Sequence, residues 1–198
     1  MRFTTEQRIG DGVLEREFTL GEIPGILWTP RRRIRSRTGT AALSCSATRR
    51  SGLRKMYPRL AARARQAAAD GFAAATIELP GSGVRPRWAA AEQARADLRR
   101  FMEAGEPVSA EIIDALVLPL VDRAVPEWRA ALDALLSLPE IGGPVGYAGG
   151  VISVGIRLAV VEPRIVAAGF FAGSLVPRAM FEEARQVTIP LACPAAVG

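Results

Sequence analysis

Short apolar runs separated by amphipathic helices leave this chain few architectures to choose from. FAAATIEL (Phe72 to Leu79), PVGYA (Pro144 to Ala148) and IVAAGFFAG (Ile165 to Gly173) read as short strands, the first and last of the kind buried inside a parallel sheet, and VTIPLAC begins one more. Between them the spacing turns helical. LRKMYPRLAARARQAAADG lines Leu60, Ala64, Ala67 and Ala68 along one face, and Gly71 stops it. A helix over Trp88 to Glu103 points Leu98, Phe101 and Met102 inward. Ser109 caps another, in which Ile112, Ile113, Leu116 and Leu120 recur, with Pro119 and Pro126 expected to kink or divide it. EWRAALDALLSL continues through Trp128, Leu132, Leu135 and Leu136; VISVGIRLAVVE is apolar enough for a central helix, and PRAMFEEARQ is a short one. Strands alternating with helices predict an α/β fold, a mostly parallel sheet covered on both faces, within a single domain over 1–198.

Two regions depart from that alternation. VLEREFTL (Val13 to Leu20) sends Val13, Glu15, Glu17 and Thr19 to one side and Leu14, Arg16, Phe18 and Leu20 to the other, as a moderately exposed antiparallel strand does; GILWTP supplies its partner. Residues 31–51, RRRIRSRTGTAALSCSATRRS, have poor periodicity, and only TAALSCSA could form a short strand. From Arg31 to Ala69 there are twelve Lys or Arg and no acid, so the other residues carry fourteen basic and twenty acidic groups, net −6. The chain is a mildly acidic body with one basic segment, and a helical insertion covers about 88–125.

Composition excludes whole classes of chemistry. Histidine is absent, so no Ser-His-Asp or Cys-His mechanism, histidine general base or histidine-ligated zinc site exists within these residues. Cys45 and Cys193 are two distant thiols rather than a disulfide framework. No apolar run is long enough to span a bilayer, and MRFTTEQRIGDG lacks the apolar core of a secretory signal, which makes the cytoplasm the expected location. No cofactor or metal is expected.

The stretch GPVGYAGGVISVG (Gly143 to Gly155) has the outline of a strand, a glycine turn and a helix start. Around Ala148 it spells G-Y-A-G-G, the hydrolase pattern G-x-S-x-G with alanine at the nucleophile position. A plain strand-to-helix turn would account for the glycines alone. The order of elements and the phrases AVPEWRAALDAL, GPVGY, VEPRI and AGFFAGS go further: the chain resembles the α/β-hydrolase superfamily, in particular its bacterial dienelactone-hydrolase-like and prolyl-oligopeptidase-like esterases, over most of Leu53 to Pro190 and more loosely over Val13 to Pro30.

That resemblance implies an α/β-hydrolase core whose C-terminal strands are missing. It makes Gly146, Tyr147, Ala148, Gly149 and Gly150 the nucleophile-elbow positions, with Gly149 the candidate oxyanion-hole donor. It implies an ancestral ester or lactone hydrolase working through an acyl-enzyme. The family's His-Gly oxyanion motif falls near Cys45 and Ser46, and its P-G-H-G turn reads Pro80-Gly81-Ser82-Gly83, both without histidine. With the nucleophile and base absent, the expectation is a pseudoenzyme.

Other readings attach to other residues. Ser153 and Ser174 could be proposed as displaced nucleophiles but have no base, and Cys45 beside Arg49 and Arg50 is more simply a bystander. Glu78 and Asp97 have no partner pattern that suggests chemistry; Asp114 and Asp122 fit solvated helix faces. A retained pocket beside Ala148 would make the chain a non-catalytic binder of a small ester or acyl ligand. RRRIRSR (Arg31 to Arg37) could instead bind nucleic acid or an anionic surface electrostatically, although no stacking aromatics or reading helix accompany it. Residues 31–51 and the ACPAAVG tail also have the composition that shifted reading frames of a GC-rich gene produce. An exposed sheet edge would favour self-association.

Overall fold

A computed structural model describes residues 1–10, 12–30, 41–47, 52–171 and 175–192, and within 41–47 the only side chain described is that of Leu43. The strands are β1 (Arg2–Ile9), β2 (Val13–Leu20), β3 (Ile23–Thr29), β4 (Ala41–Ala47), β5 (Phe72–Ile77), β6 (Ile141–Gly149), β7 (Ile165–Phe170) and β8 (Leu191–Ala192). The helices are α1 (Gly52–Ala69), α2 (Ala89–Ala104), α3 (Ala110–Leu136), α4 (Ile152–Val161) and α5 (Met180–Arg185). All eight strands form one sheet in the order β1-β2-β3-β5-β4-β6-β7-β8. β1, β2 and β3 form an antiparallel meander, β3 joins β5 antiparallel, and β5-β4-β6-β7-β8 run parallel. The α/β architecture expected from the alternation is present.

The strand missed by the alternation is β1. Its sequence, RFTTEQRI, is exposed almost throughout, so neither face imposes an apolar period on it. It is an outer strand, and its charged residues Arg2, Glu6 and Arg8 suit an open edge.

Two helix expectations are corrected. Pro119 and Pro126 do not divide their helix: α3 runs unbroken for 27 residues. Its buried stripe of Val117, Val121, Ala124, Val125, Trp128, Ala131, Leu132 and Leu135 crosses both prolines, so continuous burial outweighs the loss of two backbone donors. In α2 the buried residues are Ala91, Ala94 and Arg95, while Met102 is 67% exposed. α2 packs on α3 rather than on the sheet, and alanines allow that close approach.

The core is lopsided. One face of the sheet, under α3 and α4, carries the main cluster, including Phe18, Leu43, Ile77, Trp128, Leu132, Tyr147, Leu158 and Phe170. The other face, where α1 is the only helix among the described residues, holds a small cluster of Val13, Ile26, Trp28, Leu53, Leu60 and Ala64. α1 rests on β5 and β3.

Candidate functional site

The end of β6 shows what its glycines do. Side chains alternate along a strand, so Tyr147 turns to the α4 face and Gly146 and Ala148 to the α1 face. Tyr147 is 2% exposed, its ring meets Phe170 edge-on at 6.2 Å between centroids, and its hydroxyl donates to the Val151 carbonyl at 3.2 Å. This ring occupies the space next to two glycines. A Cβ on Gly149 would lie 2.9 Å from the Tyr147 hydroxyl oxygen, and one on Gly155 would lie 2.5 Å from the Tyr147 ring and 2.4 Å from that of Phe170. At Gly146 a Cβ would meet only the Ala167 carbonyl oxygen, at 3.9 Å.

Four of the five elbow positions belong to the strand. Ala148 pairs with Gly169 and Gly149 with Phe170 in the β6–β7 ladder, and the connection to α4 is Gly150 and Val151. Among the described glycines with positive φ, none lies at 146, 149 or 150. The Gly149 carbonyl accepts from the Phe171 N–H at 3.3 Å. Ala148 is half-buried, and its methyl group cannot act as a nucleophile.

The loop after β5 is held by a carboxylate that the sequence reading left without a role. Glu78 is 3% exposed; its Oε1 accepts from the Leu53 N–H at 3.0 Å and its Oε2 from the Val84 N–H at 3.2 Å. It thereby ties the first turn of α1 to the Gly81-Ser82-Gly83 turn, an anion placed at a helix N-terminus. Gly83 takes φ +53°, and a Cβ there would fall 1.8 Å from Glu78 Oε1. Arg85 donates to the Glu78 carbonyl at 2.9 Å and grips Glu127 of α3 through two bonds of 2.6 Å. An acid followed at short distance by two glycines was the signal available for this latch.

A groove of about 380 Å³ opens between α1 and the sheet, with Ala148 in its wall. Trp28, Leu60, Ala64, Ala74, Gly146 and Ala148 make it apolar, and Arg63, Gln66 and Asp70 stand at its rim. Gln66 donates to Asp70 at 3.3 Å, whereas the Arg63 guanidinium lies over the Phe171 ring, 4.1 Å from its centroid. A wider cavity of about 790 Å³ lies beside the first turn of α1, walled by Glu15, Glu17, Glu78, Arg54 and Tyr57. Its two buried carboxylates are held by neutral donors: Glu15 takes Gln7 at 2.6 Å, the Tyr57 hydroxyl at 2.8 Å, and the Trp28 indole. Burial, then the hydrogen bond to Glu15, pushes the Tyr57 hydroxyl up to about 12, so it stays a donor.

The remaining candidates are not drawn together. Ser153 is 1% exposed and donates to the Leu175 carbonyl at 3.3 Å, a structural bond. Cys45 lies in β4, level with Ala75 and Tyr147 in its neighbours, but its side chain and that of Ser46 lie outside the described residues, as do Ser174, Cys193, Arg49, Arg50 and the basic run Arg31 to Arg37. Asp97 pairs with Arg100 at 3.3 Å and Asp122 with Arg157 at 3.5 Å. Asp114 differs from expectation: it is half-buried, and its Oδ1 has no hydrogen-bond partner among the described residues. Among the described residues no group of three or more His, Cys, Asp or Glu could hold a metal, and no helix is long and apolar enough to cross a membrane.

No protein-family model and no curated protein matches the sequence. Solved structures do match. A cold-adapted esterase from an Arctic intertidal metagenomic library, in its complex with polyethylene glycol, superposes with a TM-score of 0.64 at 20% identity, covering 98% of this chain and 76% of the esterase. TT1662 from Thermus thermophilus gives 0.56 at 15% identity, covering 98% and 74%; acetyl xylan esterase 1 from Thermoanaerobacterium sp. JW/SL YS485 gives 0.52 at 13%, covering 86% and 51%. The chain has the α/β-hydrolase fold. Ligands of open α/β sheets bind beyond the carboxyl ends of the parallel strands. In this α/β-hydrolase core that rim is where the β6–α4 connection and the Glu78 latch lie.

Proposed function

We propose that this chain descends from ester or lactone hydrolases and does not itself hydrolyse them. The observation that carries the reading is Ala148: it stands at the end of β6, ahead of α4, and presents a methyl group instead of a nucleophile. Acyl transfer through a serine also needs a base to take its proton, and the chain has no histidine. Ser153 offers no substitute, being buried and committed to a backbone carbonyl. What the site retains is an apolar groove beside Ala148, which supports a non-catalytic role in holding a small acyl compound.

A serine-reactive fluorophosphonate tests the first half. The purified protein is expected to remain unlabelled and to leave p-nitrophenyl hexanoate at its background rate. Ala148→Ser should remain at background too, since restoring a hydroxyl supplies no base. Stoichiometric labelling mapped to any serine of the unmodified chain would overturn the reading.

A further inference from the structure

We propose that the groove beside Ala148 binds a small carboxylate, with its carboxyl group on Arg63 and its hydrocarbon over Gly146 and Ala148. This assignment rests on the reading that the chain holds an acyl compound, and it narrows that compound to the free acid. Three features of the groove support it. The walls are alkyl and aromatic, from Trp28, Leu60, Ala64 and Ala74, and the small residues Gly146 and Ala148 leave depth that larger side chains would fill. The volume, about 380 Å³, falls within the range of small-molecule sites.

The rim charges are asymmetric. Asp70 is already engaged by Gln66. Arg63 has no carboxylate partner among the described residues; its contact is with the face of Phe171. Phe171 follows β7 and is bonded to Gly149, so the Arg63 side chain reaches from α1 toward the end of β6 and sets a cation near Ala148. Partial desolvation, then the like charge of Arg59, lowers the Arg63 pKa while the guanidinium stays charged, and an incoming anion would offset the repulsion from Arg59. A guanidinium fork matches a carboxylate through two parallel hydrogen bonds, which an ester cannot accept with the same strength.

Calorimetric titration with hexanoate and with methyl hexanoate tests this. Hexanoate should bind about tenfold more tightly than the ester, and Arg63→Gln should remove that preference by weakening hexanoate binding far more than ester binding. Arg63→Lys should retain part of it, and Ala148→Leu, which fills the groove, should abolish binding of both. Thermal unfolding of each variant checks that it folds, and the Arg63 pair decides the matter even if Ala148→Leu does not fold. Equal binding of acid and ester, indifferent to Arg63→Gln, would overturn the carboxylate assignment and leave the acyl-binding reading standing. No binding of either compound would overturn both. Hexanoate binding that survives in a folded Ala148→Leu protein would also sink the assignment, because it would lie elsewhere.

Discussion

Under α3 and α4 the sheet sets Tyr147 and Phe170 in one cluster with Trp128, Leu132 and Leu135, whereas under α1 the same sheet offers Ala74, Gly146 and Ala148. A single step along β6 separates the two, from Tyr147 to Ala148. Five letters, G-Y-A-G-G, therefore serve two surfaces. Gly149, and Gly155 beyond it, leave room for the Tyr147 ring on the packed face; Gly146 and Ala148 keep the opposite face low. The buried carboxylates differ in the same sense. On the packed side Glu162 is gripped by Arg164 through two bonds of 2.7 Å, with Arg129 at 3.4 Å, and Arg164 continues to Asp133 at 2.6 Å. On the α1 side Glu15 is held by Gln7, Trp28 and Tyr57, all neutral. One face is densely packed, and the other is left open as a groove.

The largest expected effect tests that contrast directly. Leu132→Ala, at a fully buried site in the packed face, should destabilise the protein by about 4 kcal/mol, and Leu60→Ala, on α1 at the groove, by about 2 kcal/mol. Urea unfolding of the two variants provides the comparison. Equal losses would mean that α1 is packed as tightly as α3.

Next in size is the ion pair. The Arg164 hydrogen bonds hold the Glu162 carboxyl below its ordinary value of 4.5, against the opposing effect of burial. A carboxylate with a depressed folded-state pKa contributes stability that is present above the ordinary value and lost as pH falls through the folded one. Glu162→Gln should therefore cost about 2 to 3 kcal/mol at neutral pH, and the gap to the unmodified protein should close as pH falls below the ordinary carboxylate range. A gap that persists unchanged in acid would show that packing, not charge, is what Glu162 supplies.

How much of this could be read from the sequence followed the amount of burial. β5 and β7 and helices α1, α3 and α4 each bury an apolar stripe, and burial imposes the period that betrays them. β1, with almost nothing buried, left no such trace. The prolines of α3 misled because local preference yielded to a buried stripe formed by distant parts of the chain. At the site, G-Y-A-G-G indicated the position of the β6–α4 connection, but a nucleophile turn was only one reason for its glycines; the Tyr147 ring that requires Gly149 is a contact that spacing alone does not reveal. Glu78 stayed unrecognised for a similar reason. Its partners are the backbone N–H groups of Leu53 and Val84, which no side-chain motif records.

The smallest effects separate the two uses of the glycines most sharply. Gly149→Ala would bring a methyl group to 2.9 Å from the Tyr147 hydroxyl oxygen, so either the ring shifts and loses its bond to the Val151 carbonyl or the strand end moves. Overpacking of this kind costs about 1 to 3 kcal/mol. Gly146→Ala meets nothing closer than 3.9 Å and should change stability by no more than about 0.5 kcal/mol. It should nevertheless weaken hexanoate binding, because the added methyl group rises from the groove floor beside Ala148. A protein equally stable but poorer at binding would assign Gly146 to the ligand face and Gly149 to the core. Were Gly146→Ala as damaging as Gly149→Ala, the α1 face would be a packed surface after all, and the distinction between the two sides of β6 would not hold.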